Sequence, residues 1–133
     1  MRRILRGQGH ALVYQMFWGE RMEPDEAAWL WRSLGNIPET ARPEATERAI
    51  TAAGLRIHKT IELGSEWGEV AQETSGFPGR RLLHAARLIR NPERYINAFG
   101  QSAYEIKLAD CLWHVYRMIG KLSPRIYVLS VGR

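Results

Sequence analysis

Two apolar runs constrain the fold of this chain more than any other feature. Ala11–Phe17 and Ile126–Val131 are almost entirely apolar, and both have the length of a strand, far short of a membrane span. Such runs are typical of strands covered on both faces, as in a parallel sheet between helices. We therefore expect Ala11–Phe17 to be an interior strand and the last strand, Arg125–Val131, to be central.

A third strand and several helices are predicted between these runs. Leu55–Leu63 alternates apolar and polar residues, and Lys59 interrupts its apolar row, which predicts a half-buried strand at a sheet edge. Helices are indicated by Pro or acidic residues at their starts and Gly after their ends. The predicted helices are Pro24–Leu34, Pro43–Ala53, Glu66–Thr74, Arg80–Arg90, a segment restarting at Asn91-Pro92, and Ala103–Ile119 with a capping-box spacing at Ser102 and Glu105.

The order of these elements predicts an α/β layered domain. Three strands cannot bury both faces and both edges of two interior strands, so we expect something further beside Ala11–Phe17. Arg2–Arg6 is predicted to be the last turn of a helix that begins before Met1. The chain is therefore expected to start inside an element of a larger fold.

Composition adds limits on location and partners. The 133 residues suffice for one domain, and the single cysteine, Cys111, excludes an intrachain disulfide. With no signal-peptide pattern at the amino terminus, these features predict a cytoplasmic protein without a membrane partner. The net charge of +5 is not accompanied by a lysine-rich run or interleaved aromatic residues, so the sequence does not favour nucleic-acid binding.

One segment resembles a known family. Arg3–Tyr14 is similar to the R-v-L-k-P-G-G-x-l-v segment of S-adenosylmethionine-dependent methyltransferases of the Rossmann-like, type 11 or UbiE-like group, with Gly7-Gln8 where Pro-Gly is usual. Ala45–Ile57 resembles the next helix of that fold and its entry into the sixth strand. Leu122–Val131 resembles its closing strand, which runs antiparallel between the fifth and sixth.

The resemblance implies that residues 1–133 form the carboxy-terminal half of a methyltransferase domain. The expected fold is a partial Rossmann-like sheet of the last three strands, mixed parallel and antiparallel, with a helical insertion at about residues 64–121. The family's glycine-rich loop and acidic residue for S-adenosylmethionine belong to the amino-terminal half, so we expect no cofactor-binding residue here. Gly7-Gln8-Gly9 precedes a strand and lacks the third glycine of a dinucleotide loop.

Candidate site residues follow from the rule that open α/β sheets bind ligands at the carboxyl ends of their strands. That rule selects Phe17, Trp18, Glu66 and Trp67 as substrate-binding candidates, although tryptophans also commonly pack in cores, as expected for Trp29 and Trp31. His114 is the candidate general base if it faces such a pocket. No histidine has metal-ligand spacing, so no metal site is predicted.

Three functions remain open from the sequence. The chain is expected to be the substrate-shaping part of a methyltransferase acting on a small molecule, inactive alone and pairing with an amino-terminal half. Alternatively, it is a non-catalytic module that pairs with another protein or its own copy through an open sheet edge. The third possibility is an accessory domain that binds anions through Arg80, Arg81, Arg87, Arg90 and Arg94.

Overall fold

A computed structural model describes residue 5 and residues 9–131. Three strands form one sheet: β1 (His10–Trp18), β2 (Leu55–Glu62) and β3 (Leu122–Val131). Two helices lie between β1 and β2, namely α1 (Pro24–Ser33) and α2 (Pro43–Ala52), with a 3-10 turn at Pro38–Ala41. Four helices lie between β2 and β3, which we call the helical layer: α3 (Glu66–Ser75), α4 (Phe77–Arg90), α5 (Pro92–Phe99) and α6 (Gln101–Met118). Of the predicted helical turn at Arg2–Arg6, only Leu5 is among the described residues, so this prediction lies outside what the structure describes.

The strand order is β1-β3-β2, so β3 is central and β2 is an edge, as the sequence predicts. β3 pairs antiparallel with both neighbours, from Trp18 opposite Leu122 to His10 opposite Ser130 on the β1 side. The expectation of a mixed sheet is wrong for the described chain. β1 and β2 run in the same direction, but β3 separates them, so every hydrogen-bonded pair is antiparallel.

The two faces of the sheet are covered unequally. On one face, Phe17, Tyr127 and Leu129 pack against Ile50 of α2. On the other face, Met16 and Leu122 pack against α1 and α6 in a core that contains Leu30, Trp31 and Ala109. α1 and α6 do not cover the whole of this face. Leu12 and Tyr14, which lie on the same face as Met16, are 70% and 48% exposed. The expectation that both faces of β1 are covered is therefore wrong within the described chain.

The helical layer departs from the prediction in two details. α4 begins at Phe77, because Gly76 takes a left-handed conformation (φ 63°) that turns the chain directly into the new helix. α6 begins at Gln101 after Gly100, so the Ser102–Glu105 capping box is wrong. Glu105 instead accepts a 2.7 Å hydrogen bond from the Gln101 side chain.

α6 joins the sheet to the rest of the helical layer. Its Ala109 packs in the core with Met16 and Trp31, whereas Cys111 packs with Ala85 and Leu88 of α4. Because the helix is covered from two sides, its buried residues do not form one stripe. α6 therefore positions the helical layer relative to the strand ends.

Candidate functional site

The carboxyl ends of β1 and β2 meet the start of β3 around a cleft of about 350 Å³, which we call the strand-end cleft. Antiparallel pairing brings these ends together, since Trp18 lies opposite Leu122 and Glu62 lies opposite Arg125. The residues that line it are Phe17, Trp18, Gly19, Glu20, Arg21, Pro43, Glu62, Leu63, Gly64, Ser65, Gly120, Leu122, Ser123 and Arg125.

Two of the predicted substrate-binding residues, Phe17 and Trp18, line the cleft from β1. Phe17 is 1% exposed and meets the Tyr127 ring edge-on at 6.2 Å, so most of its ring belongs to the core. The Trp18 indole donates a 2.6 Å hydrogen bond to the Met22 carbonyl, and the Arg42 guanidinium lies 4.0 Å from its ring centroid. Trp18 is therefore a fixed aromatic wall with a cation on its face.

Arg125 is the functional candidate that the sequence interpretation missed. Its guanidinium lies 3.0 Å from the Glu62 carboxylate, 3.9 Å from that of Glu47 and 5.6 Å from the Phe17 ring centroid. Its Nε is buried and has no hydrogen-bond partner among the described residues. The sequence signal for Arg125 is its position as the one charged residue of a mainly apolar strand, because a charge in such a place is costly unless it has an ion-pair or hydrogen-bond partner. Arg125 therefore lines the cleft as a cation that two carboxylates already hold in place.

Glu47 links the cleft to the core beneath it. The Tyr127 hydroxyl donates a 3.1 Å hydrogen bond to its Oε1. Burial raises the pKa of Tyr127 above the ordinary value of 10.0, so the phenol keeps its proton and remains a donor at neutral pH. Tyr127, Glu47, Arg125 and Glu62 therefore form one connected polar network from α2 to the edge of the sheet.

An ion pair fixes the loops on the other side of the cleft. Lys121 binds the Glu26 carboxylate, which also lies 3.4 Å from the Tyr116 hydroxyl. The hydrogen bond from Lys121 lowers the pKa of Glu26 and reciprocally raises the pKa of Lys121. Burial raises the pKa of Tyr116. This pair holds α1 to the segment that leads into β3.

Glu66 and Trp67 lie beside the cleft and do not line it. Both belong to the first turn of α3, and the preceding Gly64 and Ser65 form the cleft wall. The Glu66 carboxylate folds over Gly64, in the space that a Cβ at Gly64 would need. The Trp67 side chain is 47% exposed. The structure therefore brings Phe17 and Trp18 together in the cleft, with Glu66 and Trp67 outside its rim.

His114 lies elsewhere. It projects from α6 toward α4, where the Phe77 ring meets it edge-on at 4.9 Å. Burial lowers its pKa, with a further contribution from Arg81, and its Nδ1 has no hydrogen-bond partner among the described residues. His114 is not among the residues that line the strand-end cleft. Trp31, by contrast, is a core residue as expected, 2% exposed and 5.2 Å from the Trp113 ring.

The loop after β1 and the start of α1 do not offer S-adenosylmethionine a glycine-rich cradle. The glycine that follows β1, Gly19, is packed against another loop: a Cβ there would lie 2.9 Å from the Gly120 carbonyl oxygen. The amino terminus of α1 carries its own carboxylate, since Glu26 accepts a 3.2 Å hydrogen bond from the Glu23 amide. Neither segment is a glycine-rich cradle open to a ligand. Gly7 and Gln8 lie outside the described residues.

Within residues 5 and 9–131, no three His, Cys, Asp or Glu side chains come close enough to hold a metal ion. Among the described helices, none combines the length and the apolar content needed to cross a bilayer.

Comparison with known proteins identifies similar structures. No protein-family model matches the sequence, and no curated protein matches it. YjhP of E. coli aligns over 96% of this chain and 48% of its own, with a TM-score of 0.51 and 16% identity. A SAM-dependent methyltransferase from Geobacter sulfurreducens, solved with S-adenosyl-L-homocysteine, aligns over 97% of this chain and 48% of its own (TM-score 0.49, 14% identity).

A third similar structure is the cyclopropane synthase MmaA2 from Mycobacterium tuberculosis, which aligns over 96% of this chain and 46% of its own (TM-score 0.46, 16% identity). The chain thus spans about half the length of the solved structures it matches. The likeness to YjhP shows that this chain has the same α/β fold as about half of that protein.

Proposed function

We propose that this chain is the carboxy-terminal, substrate-shaping half of an S-adenosylmethionine-dependent methyltransferase of the type 11 or UbiE-like group. One observation carries the proposal: β3 lies antiparallel between β1 and β2, the arrangement that the resemblance of Leu122–Val131 to the family's closing strand implies. The similarity of Arg3–Tyr14 to the family segment supports the same assignment.

The missing half would complete the sheet beside β1. Among the described strands, β1 pairs only with β3, so its other edge has no strand partner there. Leu12 and Tyr14 expose an apolar surface along the same strand. A strand added at this edge, with a helix over these side chains, would cover both. That half would also supply the S-adenosylmethionine site, so this chain alone would be inactive.

The substrate would be a small molecule held in the strand-end cleft. Methyl transfer depends chiefly on alignment of the nucleophile with the methyl donor, so a pocket whose side chains hold the substrate in a fixed position can provide much of the rate enhancement. Trp18 offers aromatic surface, and the Arg125 guanidinium, which is paired with Glu62, lines the same cleft. His114 does not reach the cleft in this arrangement, and Glu20 and Glu62 are the carboxylates that line it.

The test compares this chain with a longer protein that includes the coding sequence immediately upstream. Each is titrated with S-adenosylmethionine by calorimetry. We expect no saturable heat from residues 1–133 and micromolar binding by the longer protein. Saturable binding by residues 1–133 would contradict the proposal that the cofactor site belongs to the missing half. A folded longer protein that binds no S-adenosylmethionine would overturn the methyltransferase assignment.

The same open edge favours a second candidate, a non-catalytic module that pairs through β1 with its own copy. Two β1 strands could pair around a two-fold axis, which would bring Leu12 and Tyr14 of both copies side by side on one face of a continuous sheet. Sedimentation of residues 1–133 over a range of concentrations tests this candidate. A sharp monomer–dimer equilibrium would support it, and a monomer at every concentration would exclude it.

A further inference from the structure

A second cavity lies in the helical layer, apart from the strand-end cleft. Its volume is about 440 Å³, within the range of about 300–1,000 Å³ that is usual for small-molecule sites. Three helices each contribute residues three or four positions apart, which face the same way: His84, Arg87 and Leu88 from α4, Tyr95 and Phe99 from α5, and Ala103, Tyr104 and Lys107 from α6. We call it the helical cavity. None of these residues lines the strand-end cleft.

The interior of the helical cavity is apolar. Leu88 is 4% exposed and belongs to the small core of the helical layer, against which Tyr95 and Tyr104 also pack. The Tyr104 hydroxyl points to the Leu88 carbonyl, at 3.4 Å, so the ring presents its carbon surface to the cavity. Phe99 is 72% exposed, which is costly for so large an apolar side chain unless something covers it. These surfaces suit an alkyl or aryl group.

The rim of the helical cavity is cationic. Arg87 and Lys107 line it from α4 and α6, and both are exposed. Among the described residues, Arg87 forms no ion pair, and the one carboxylate near Lys107, that of Asp110, lies 3.7 Å from it and is bound more closely by Arg81. α4 itself contains no acidic residue. Arg87 therefore faces solvent without an ion-pair partner among the described residues, and Lys107 shares the Asp110 carboxylate with Arg81.

We propose that the helical cavity binds an amphiphilic anion: a free molecule with an alkyl or aryl body and a carboxylate head. The body lies against Leu88, Tyr95 and Phe99, where it removes apolar surface from water. The head accepts hydrogen bonds from Arg87 and Lys107, and charge assistance strengthens both. This site is independent of the proposed methyltransferase function, because it requires neither the strand-end cleft nor a second half of the fold.

The probe is monomeric decanoate, followed by amide chemical shifts of the ¹⁵N-labelled chain. We expect saturable shifts concentrated at Leu88, Phe99 and Ala103. Decyltrimethylammonium has the same alkyl chain with a cationic head, so it should bind about tenfold more weakly. Equal affinity for the two probes, or no saturable shift with decanoate, would overturn the proposal.

Paired variants separate the site from general charge. Arg87→Gln with Lys107→Gln should weaken decanoate binding about tenfold, because both head contacts are lost. Arg90→Gln with Arg94→Gln removes the same charge from neighbouring exposed positions that do not line the cavity, and should leave affinity within about twofold. Equal weakening by both pairs would show diffuse attraction and contradict a built site.

A third variant tests the cavity itself. Ala103→Leu, at an exposed position in the first turn of α6, puts a larger side chain into the cavity without changing charge or helix propensity much. We expect about a tenfold loss of decanoate affinity with the rest of the spectrum unchanged. Anionic vesicles are titrated in parallel. Binding to vesicles without saturable binding of monomeric decanoate would indicate a membrane-surface interaction and overturn the proposal.

Discussion

The two outer strands of the sheet differ in charge and in the regularity of their pairing with β3. β2 carries Arg56, Lys59 and Glu62 as exposed side chains, and a bulge between Ile57 and Lys59 shifts its register against β3. β1 has nine residues in unbroken register with β3 and contains no Asp, Glu, Lys or Arg. Charges and bulges are the usual means by which proteins prevent strand addition at an edge. β2 therefore has the features of a terminal edge, whereas β1 lacks them, which favours a partner strand beside β1.

The largest expected difference in unfolding free energy is between a leucine on the central strand β3 and a leucine on the outer strand β1. Leu129→Ala, at a position 1% exposed, should lower the free energy of unfolding by about 2–5 kcal/mol, because it leaves a cavity between the sheet and α2. Leu12→Ala, at a position 70% exposed, should change it by less than about 0.5 kcal/mol in the monomer. Urea denaturation at low protein concentration measures both. A comparable loss for Leu12→Ala would mean that its side chain is already covered.

A charge placed on each edge tests the comparison directly. Tyr14→Lys on β1 should weaken self-association about tenfold, or about 1.4 kcal/mol, because it introduces like charges into the apolar strand that would pair. Thr60→Lys, at an exposed position of β2, is the matched control and should leave the association constant within about twofold. Analytical ultracentrifugation gives both constants. Equal weakening would contradict a special role for β1.

Two ion pairs near the ends of the outer strands should differ by a smaller amount. Lys121→Met removes the partner of Glu26, whose side chain is 31% exposed, and should cost about 1 kcal/mol of unfolding free energy. Glu62→Gln removes the partner of Arg125 at the β2 edge. It should cost less than about 0.5 kcal/mol, because the Glu62 side chain is 66% exposed and Arg125 keeps Glu47. Chemical denaturation compares them, and a larger loss for Glu62→Gln would reverse this order.

The smallest expected effect is a dependence of stability on pH, and it should not involve the edge of β1 or that of β2. The pKa of His114 is lowered from its ordinary value of 6.5, first by burial and then by Arg81, with Arg117 acting in the same direction and Asp110 opposing. The unfolded chain therefore takes up a proton before the folded chain does. The His114 contribution to stability is complete above pH 6.5 and is lost as the pH falls through the folded pKa.

A denaturation series across this pH window measures that dependence. His114→Gln should flatten it, whereas His84→Gln, at an exposed position on α4, should leave it unchanged. Because His114 lies between α6 and α4, the association constant through β1 should not follow the same curve. A wild-type protein whose stability is constant across the window would contradict the prediction for His114.

Local sequence patterns predict much of this fold without reference to tertiary contacts. The predicted strand Ala11–Phe17 lies within His10–Trp18, the predicted helix Pro43–Ala53 ends one residue earlier, at Ala52, and β3 is central. These features follow from local rules: apolar runs form strands, Pro and acidic residues start helices, and Gly ends them. The positions of Phe17 and Trp18 in the cleft are predictable in the same way, because the apolar run shows where the strand ends.

Other features depended on which surfaces meet in three dimensions. The all-antiparallel pairing arises because β3 inserts between two strands that run in the same direction. Arg125 reaches the cleft because β3 brings it beside Glu62 and below α2, and His114 is excluded because α6 turns it toward Phe77. Sequence spacing fixes the period of a helix or strand, but it does not identify the neighbour on each face, because burial is decided by packing between elements distant in the chain.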